Sequence, residues 1–263
     1  MYVPIPPQGA VTGLGAVCVV PPSVAAPTLR CDTEDLAAIA VAIGEVVTRT
    51  DARDAIKAAS KLAVKWLLAA ANALKRPRPK GVAGEPIRLK FKEAFGTSPE
   101  FVPTWRLAGE KWDRGDIVRA RLLCAAKILA NGSIAFYCWG PRSCPFTIAA
   151  DWRPSTWAIV KRPQYRMCLG ERFWRAWKDG HKNDLAATLF HEGLHIYFDT
   201  VRDTDERGAY GLAACYERFV LLTNGIPLSD YVKRLCVSGI PTGDFPPPRG
   251  TAPLHSSQRA RPS

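Results

Sequence analysis

The chain has 263 residues, 47% of them hydrophobic and 23% charged, a balance that suits one large or two small globular domains and excludes wholesale disorder. Lys and Arg total 36 against 24 Asp and Glu, a net charge of +12. That excess attracts anionic partners of any kind and does not bear on fold; no stretch of about 18 uncharged apolar residues occurs, so no membrane-spanning helix is expected.

Residues 1–31 read as a Pro/Gly-rich leader in which Arg30 is the first charged side chain. Ala10–Val20 is apolar, but Pro4, Pro6 and Pro7 stand where a signal peptide carries positive charge, so no conventional signal peptide is expected. A single catalytic domain is expected over 32–238. It opens with a helical pair over 32–75. Asp32 or Thr33 caps the first helix, and Leu36, Ile39, Ile43 and Val46 line its apolar face. Thr50 and Asp51 open the second helix, whose apolar side includes Ile56, Leu62, Trp66, Leu67 and Leu74. The short join suggests that the two pack antiparallel.

Lys75–Gly81 alternates basic residues with Pro77 and Pro79, which forbids helix. With Arg88, Lys90 and Lys92 it forms a basic run. A solvated loop is expected rather than a nucleic-acid surface, because no aromatic side chain interleaves with it before Phe91. Residues 112–130 again show helical spacing, with Ile117, Leu122, Leu123 and Ile128 on one face. Residues 134–139 and 156–160 are rich in aromatic and β-branched side chains and are expected to be strands of a small antiparallel sheet. The fold class is therefore α+β and mainly helical. Residues 239–263 form a Pro/Arg-rich tail for which disorder is expected. The eight cysteines contain no C-x-x-C pair, against ribbon-type zinc sites and thioredoxin-type chemistry. They suit disulfides or buried thiols equally.

The informative segment runs from Asn183 to Asp199. Asn183 or Asp184 can cap a helix starting at Leu185, with Leu189 and Phe198 on its apolar side. His191 and His195 then lie one turn apart on one face, so both imidazoles can reach one ion. Glu192 follows the first of them, placed to take a proton from a bound water. This is the H-E-x-x-H arrangement of zinc metallopeptidases, and two of the chain's four histidines build it. The third ligand is open. Phe198 and Val201 occupy the positions where a metzincin carries Gly and His. Glu217, on an apparent later helix, would suit a gluzincin, and an acidic residue within 203–206 is the alternative.

With these residues the chain resembles the deuterolysin-like aspzincins, which include the lysine-specific metalloendopeptidases. That family follows H-E-x-x-H with G-T-x-D-x-x-Y-G, and here Thr204, the acids beside it and Tyr210-Gly211 are similar. Tyr137, Cys138, Cys144, the segment Arg166–Trp174 and the stretch Asn224–Tyr231 extend the likeness over 130–232. The resemblance implies a zincin-like fold, a zinc ion and a protein or peptide substrate. It further implies Glu192 as general base and Tyr210 as an oxyanion donor. It leaves the family's Asp ambiguous. Asp203 replaces the Gly, and the spacing lands on Glu206 counted from Thr204 or on Arg207 counted from Tyr210. Asp205 is favoured as third ligand, then Glu206 and Asp203. The implied protein is secreted or exported, as an effector or toxin protease. The rival expectation is a degenerate protease fold acting as a basic binding protein.

Overall fold

The computed structural model describes residues 28–102, 112–147, 152–160, 165–197 and 213–236. The readings made for most of the leader and for the tail lie outside these residues. Helix α1 (Thr33–Ile43) begins where the acidic cluster predicts. The Asp32 carboxylate accepts from the Asp35 amide at 2.8 Å, and Asp35 accepts in turn from the Asp32 amide. That reciprocal pair satisfies two amides that a helix start leaves open. The helix ends at Gly44, whose φ of 69° needs a residue without Cβ strain. Helix α2 (Arg49–Ala73) starts just before Thr50, because Thr48 and Asp51 form the same reciprocal cap.

The expected antiparallel pairing of these two helices is replaced by a different arrangement. The main helical partner of α1 is α6 (Glu171–Lys178), and Lys178 Nζ donates to the Ile43 carbonyl at 2.7 Å. Helix α2 packs instead on α4 (Arg114–Ala130), α7 (Lys182–Tyr197) and α8 (Ala213–Thr223). Its buried side is largely alanine, with Ala52, Ala59, Ala63 and Ala70 nearly inaccessible. Small side chains let three helices approach one central helix, which an antiparallel pair would not require. Val46, expected on the buried face, is exposed beyond the end of α1.

The basic run is not a solvated loop throughout. Arg78 is 5% exposed at its side chain and grips Asp113 with both guanidinium nitrogens, at 2.7 and 3.0 Å. It also reaches Asp116 at 3.1 Å, and Arg76 joins the same two carboxylates. Asp113 and Asp116 are the reciprocal cap of α4, so the loop is tied to the start of that helix. Burial pushes the Asp116 carboxyl up, against the pull of both arginines. Arg88, Lys90 and Lys92 belong to helix α3 (Glu85–Phe95), which follows a 3-10 turn at 81–84. Phe91 is fully buried there, against Phe95 and Phe219.

The sheet is mixed rather than antiparallel. Strands β1 (Thr28–Arg30), β2 (Ala135–Tyr137), β3 (Ala158–Val160) and β4 (Arg166–Leu169) lie in the order β1-β2-β4-β3. β1 pairs parallel with β2 and β2 parallel with β4, while β3 runs antiparallel to β4. Helices α1 to α4 intervene between β1 and β2, so the chain makes a crossover and not a hairpin. β2 and β3 fall inside the two predicted strand segments.

Disulfides join Cys31 to Cys138, Cys144 to Cys168 and Cys215 to Cys236, and Cys124 is disulfide-bonded too. Trp174 Nε1 donates to the Cys138 carbonyl at 2.6 Å, fixing α6 to the end of β2. The short helix α5 (Gly140–Ser143) carries Arg142, which gathers Asp32, Glu34 and Asp35 from the start of α1. Burial holds the Asp35 carboxyl above its usual range, whereas Arg142 holds Asp32 below it.

Arg142→Met is therefore expected to destabilise the protein most at neutral pH. Stability tied to Asp35 is fully present below its unfolded pKa and fades as pH rises through the raised folded value. Stability tied to Asp32 is present above the unfolded value and is lost as pH falls through the depressed one. Removing the guanidinium takes the counter-charge away from the buried Asp35 carboxyl and forfeits the stabilisation tied to Asp32 at neutral pH. Urea midpoints of both proteins at neutral pH and at about pH 4 check this; a gap that widens in acid would contradict it.

Candidate metal centre

Helix α7 carries the motif and is surrounded. It packs on α2, α4, α6 and α8 and against the edge strand β3. Leu185, Leu189, Phe190 and Leu194 turn into the core. Gly193 faces Leu129 of α4, whose nearest side-chain carbon would stand 3.7 Å from a Cβ at that position. The helix begins at Lys182, ahead of the expected Leu185. Phe198 lies outside the described residues.

The i, i+4 spacing places the two imidazoles as expected. His191 and His195 are each 6% exposed. Their ring centroids are 4.9 Å apart with the planes at 76°. The Nε2 atoms face each other at 3.3 Å. Two imidazole nitrogens each about 2.0–2.1 Å from one tetrahedral zinc ion stand roughly 3.3–3.4 Å apart. The pair therefore fits a shared zinc ion in spacing and in chemistry. Glu192 is half-buried on the same turn.

Glu217, one of the open third-ligand candidates, reaches His191 from helix α8. Its Oε2 is 2.8 Å from Nδ1 of His191, on the opposite side of the ring from the facing Nε2 atoms. Among the described residues, no three His, Cys, Asp or Glu side chains converge as a metal cluster. Asp203, Asp205, Glu206 and Tyr210 all lie outside the described residues.

Helix α8 holds Glu217 firmly. Tyr216 is fully buried, edge-on to Phe95 at 5.2 Å, and its hydroxyl accepts from Arg121 of α4. Arg218 pairs with Glu93 of α3 at 2.7 Å and donates to the Cys236 carbonyl. The bridge from Cys215 to Cys236 ties the same turn to helix α9 (Asp230–Leu235). The contact between Glu217 and the first histidine was not foreseen. Its one sequence signal is that Glu217 is the sole acid within the apolar run 213–223.

No protein-family model, curated protein or solved structure matches this chain. The likeness to the aspzincins therefore rests on the sequence residues named above.

Proposed function

We propose that the chain is a zinc-dependent endopeptidase with a zincin-like, aspzincin-type centre on α7. The observation that carries the reading is the pair of buried Nε2 atoms 3.3 Å apart, one helical turn from each other. His191 and His195 would hold the ion, with Asp205 as the favoured oxygen donor ahead of Glu206 and Asp203. When bound, zinc supplies Lewis acidity to the scissile carbonyl and to the attacking water. Glu192 takes a proton from that water and returns it to the leaving amine. Tyr210, by the resemblance, donates a hydrogen bond to the carbonyl oxygen as it gains negative charge.

The sheet supports a peptide substrate. β3 is an edge strand in contact with α7, and an extended peptide adding to that edge would run beside the helix that bears the motif. The disulfides support export, since thiols in reducing compartments stay unpaired. No helix among the described residues is long and apolar enough to cross a membrane.

The purified full chain is expected to carry stoichiometric zinc and to cleave members of a mixed peptide library. A chelator should abolish cleavage and added zinc should restore it. A zinc-free chain, or cleavage indifferent to chelation, overturns the proposal in favour of a degenerate fold or a different hydrolase.

A further inference from the structure

Resting on the zinc reading above, we propose that Glu217 is the positioning residue of His191 and not the third ligand. Its carboxylate accepts the Nδ1–H of that imidazole, which fixes the tautomer whose Nε2 lone pair faces His195.

The argument starts from burial. Glu217 and His191 are 9% and 8% exposed at their side chains. A carboxylate placed there is costly without a donor aimed at it, and Nδ1 of His191 at 2.8 Å is such a donor. An imidazole that gives Nδ1–H to a carboxylate keeps its other nitrogen free to ligate and makes it more basic. The arrangement is directional. Nδ1 points to α8, and Nε2 points across the turn to the second histidine. For Glu217 to join the Nε2 pair it would have to abandon this bond and reach past the ring.

The neighbours of Glu217 explain why the carboxylate stays in place. Tyr216 is locked between the Phe95 ring and Arg121, Arg218 is anchored to Glu93, and Cys215 is cross-linked to Cys236. Three successive contacts on one turn leave α8 little room to rotate. The orientation of the first histidine is thus set by a helix that reaches the site through the Glu217 carboxylate.

The test uses the full chain and zinc alone. Glu217→Ala is expected to weaken zinc binding about 10–100-fold, read by competition with a chromophoric chelator. Glu217→Gln, whose amide oxygen accepts the same proton, should lose less. The cobalt-substituted spectra of wild type and Glu217→Gln should match, because the ligand set is unchanged. In the zinc-loaded wild type, nitrogen-15 NMR should find His191 protonated at Nδ1 and metal-bound through Nε2. That measurement stands even where the alanine variant does not fold.

Unaltered zinc affinity in Glu217→Ala, or the opposite His191 tautomer, overturns the inference while leaving the zinc reading intact. A changed cobalt spectrum in Glu217→Gln makes Glu217 a ligand and overturns it as well. A wild-type chain that binds no zinc instead removes the reading on which the inference rests.

Discussion

Glu192→Gln is expected to slow peptide-bond hydrolysis by a factor of about 10²–10⁴ without loss of zinc. Glu192 follows His191 on α7, so its side chain leaves the helix about 100° around the axis from that ring. The amide of Gln keeps the shape and the hydrogen-bonding oxygen but cannot take a proton at neutral pH. His191, His195 and the bond from Glu217 are untouched by the change. The decisive measurement is zinc content and peptide cleavage on one preparation. Cleavage at the wild-type rate would reject Glu192 as the base. A metal-free variant would make it a ligand instead.

The double variant Cys31→Ala, Cys138→Ala is expected to cost more stability than removal of either of the other two described bridges. The bridge spans 107 residues, against 24 for Cys144–Cys168 and 21 for Cys215–Cys236. In the chain-entropy account, the long loop is worth about 5 kcal/mol and each short one a little over 3 kcal/mol, roughly. A loss of about 5 kcal/mol would lower the melting temperature by about 10–20 °C in a chain of this size. The location sharpens the effect. Cys31 follows β1 and Cys138 follows β2, and β1 is a three-residue edge strand held by one neighbour. Without the bridge, that pairing, the packing of Leu29 on the core and the Arg49 hydrogen bond to the Leu29 carbonyl are left to hold the strand. Calorimetry of the three double variants ranks them, and equal losses would argue that strain or residual structure outweighs loop length.

The local chemistry of the helices was largely legible. Asp32 with Asp35 sets the start of α1, and Asp113 lies next to the predicted start of α4, because caps depend on residues close in sequence. Thr50 misled because Thr48 and Asp51 make the same motif a little earlier. Helix α3 was hidden by its composition. Pro86 stands in its first turn, where proline is tolerated, and its basic residues masked the two buried phenylalanines. The sheet's parallel pairs depend on crossovers that no local signal records, and β1 and β4 lack the run of aromatic and β-branched side chains that marked the segments around β2 and β3. Arg78 looked like a loop charge because its carboxylates lie beyond residue 110 in the chain.

The centre divides in the same way. The facing imidazoles follow from helical periodicity, so His191 and His195 were readable together. The partner of Nδ1 depends on how α8 lies against α7, and that is decided by Phe95, Tyr216 and a disulfide. Glu217 stood in the sequence as one possible ligand, while its contact places it behind the ring.

The arrangement of the sheet also dictates an order of events during biosynthesis. β1 leaves the ribosome first, yet the strand it pairs with is made only after four helices have followed. β4, which separates β2 from β3, arrives later still. β1 must therefore wait, unpaired and with the following Cys31 thiol exposed to wrong partners, until its partner cysteine has been made 107 residues later. Oxidative maturation that is slowed until translation is nearly complete should give a higher yield of correctly bridged protein than rapid early oxidation.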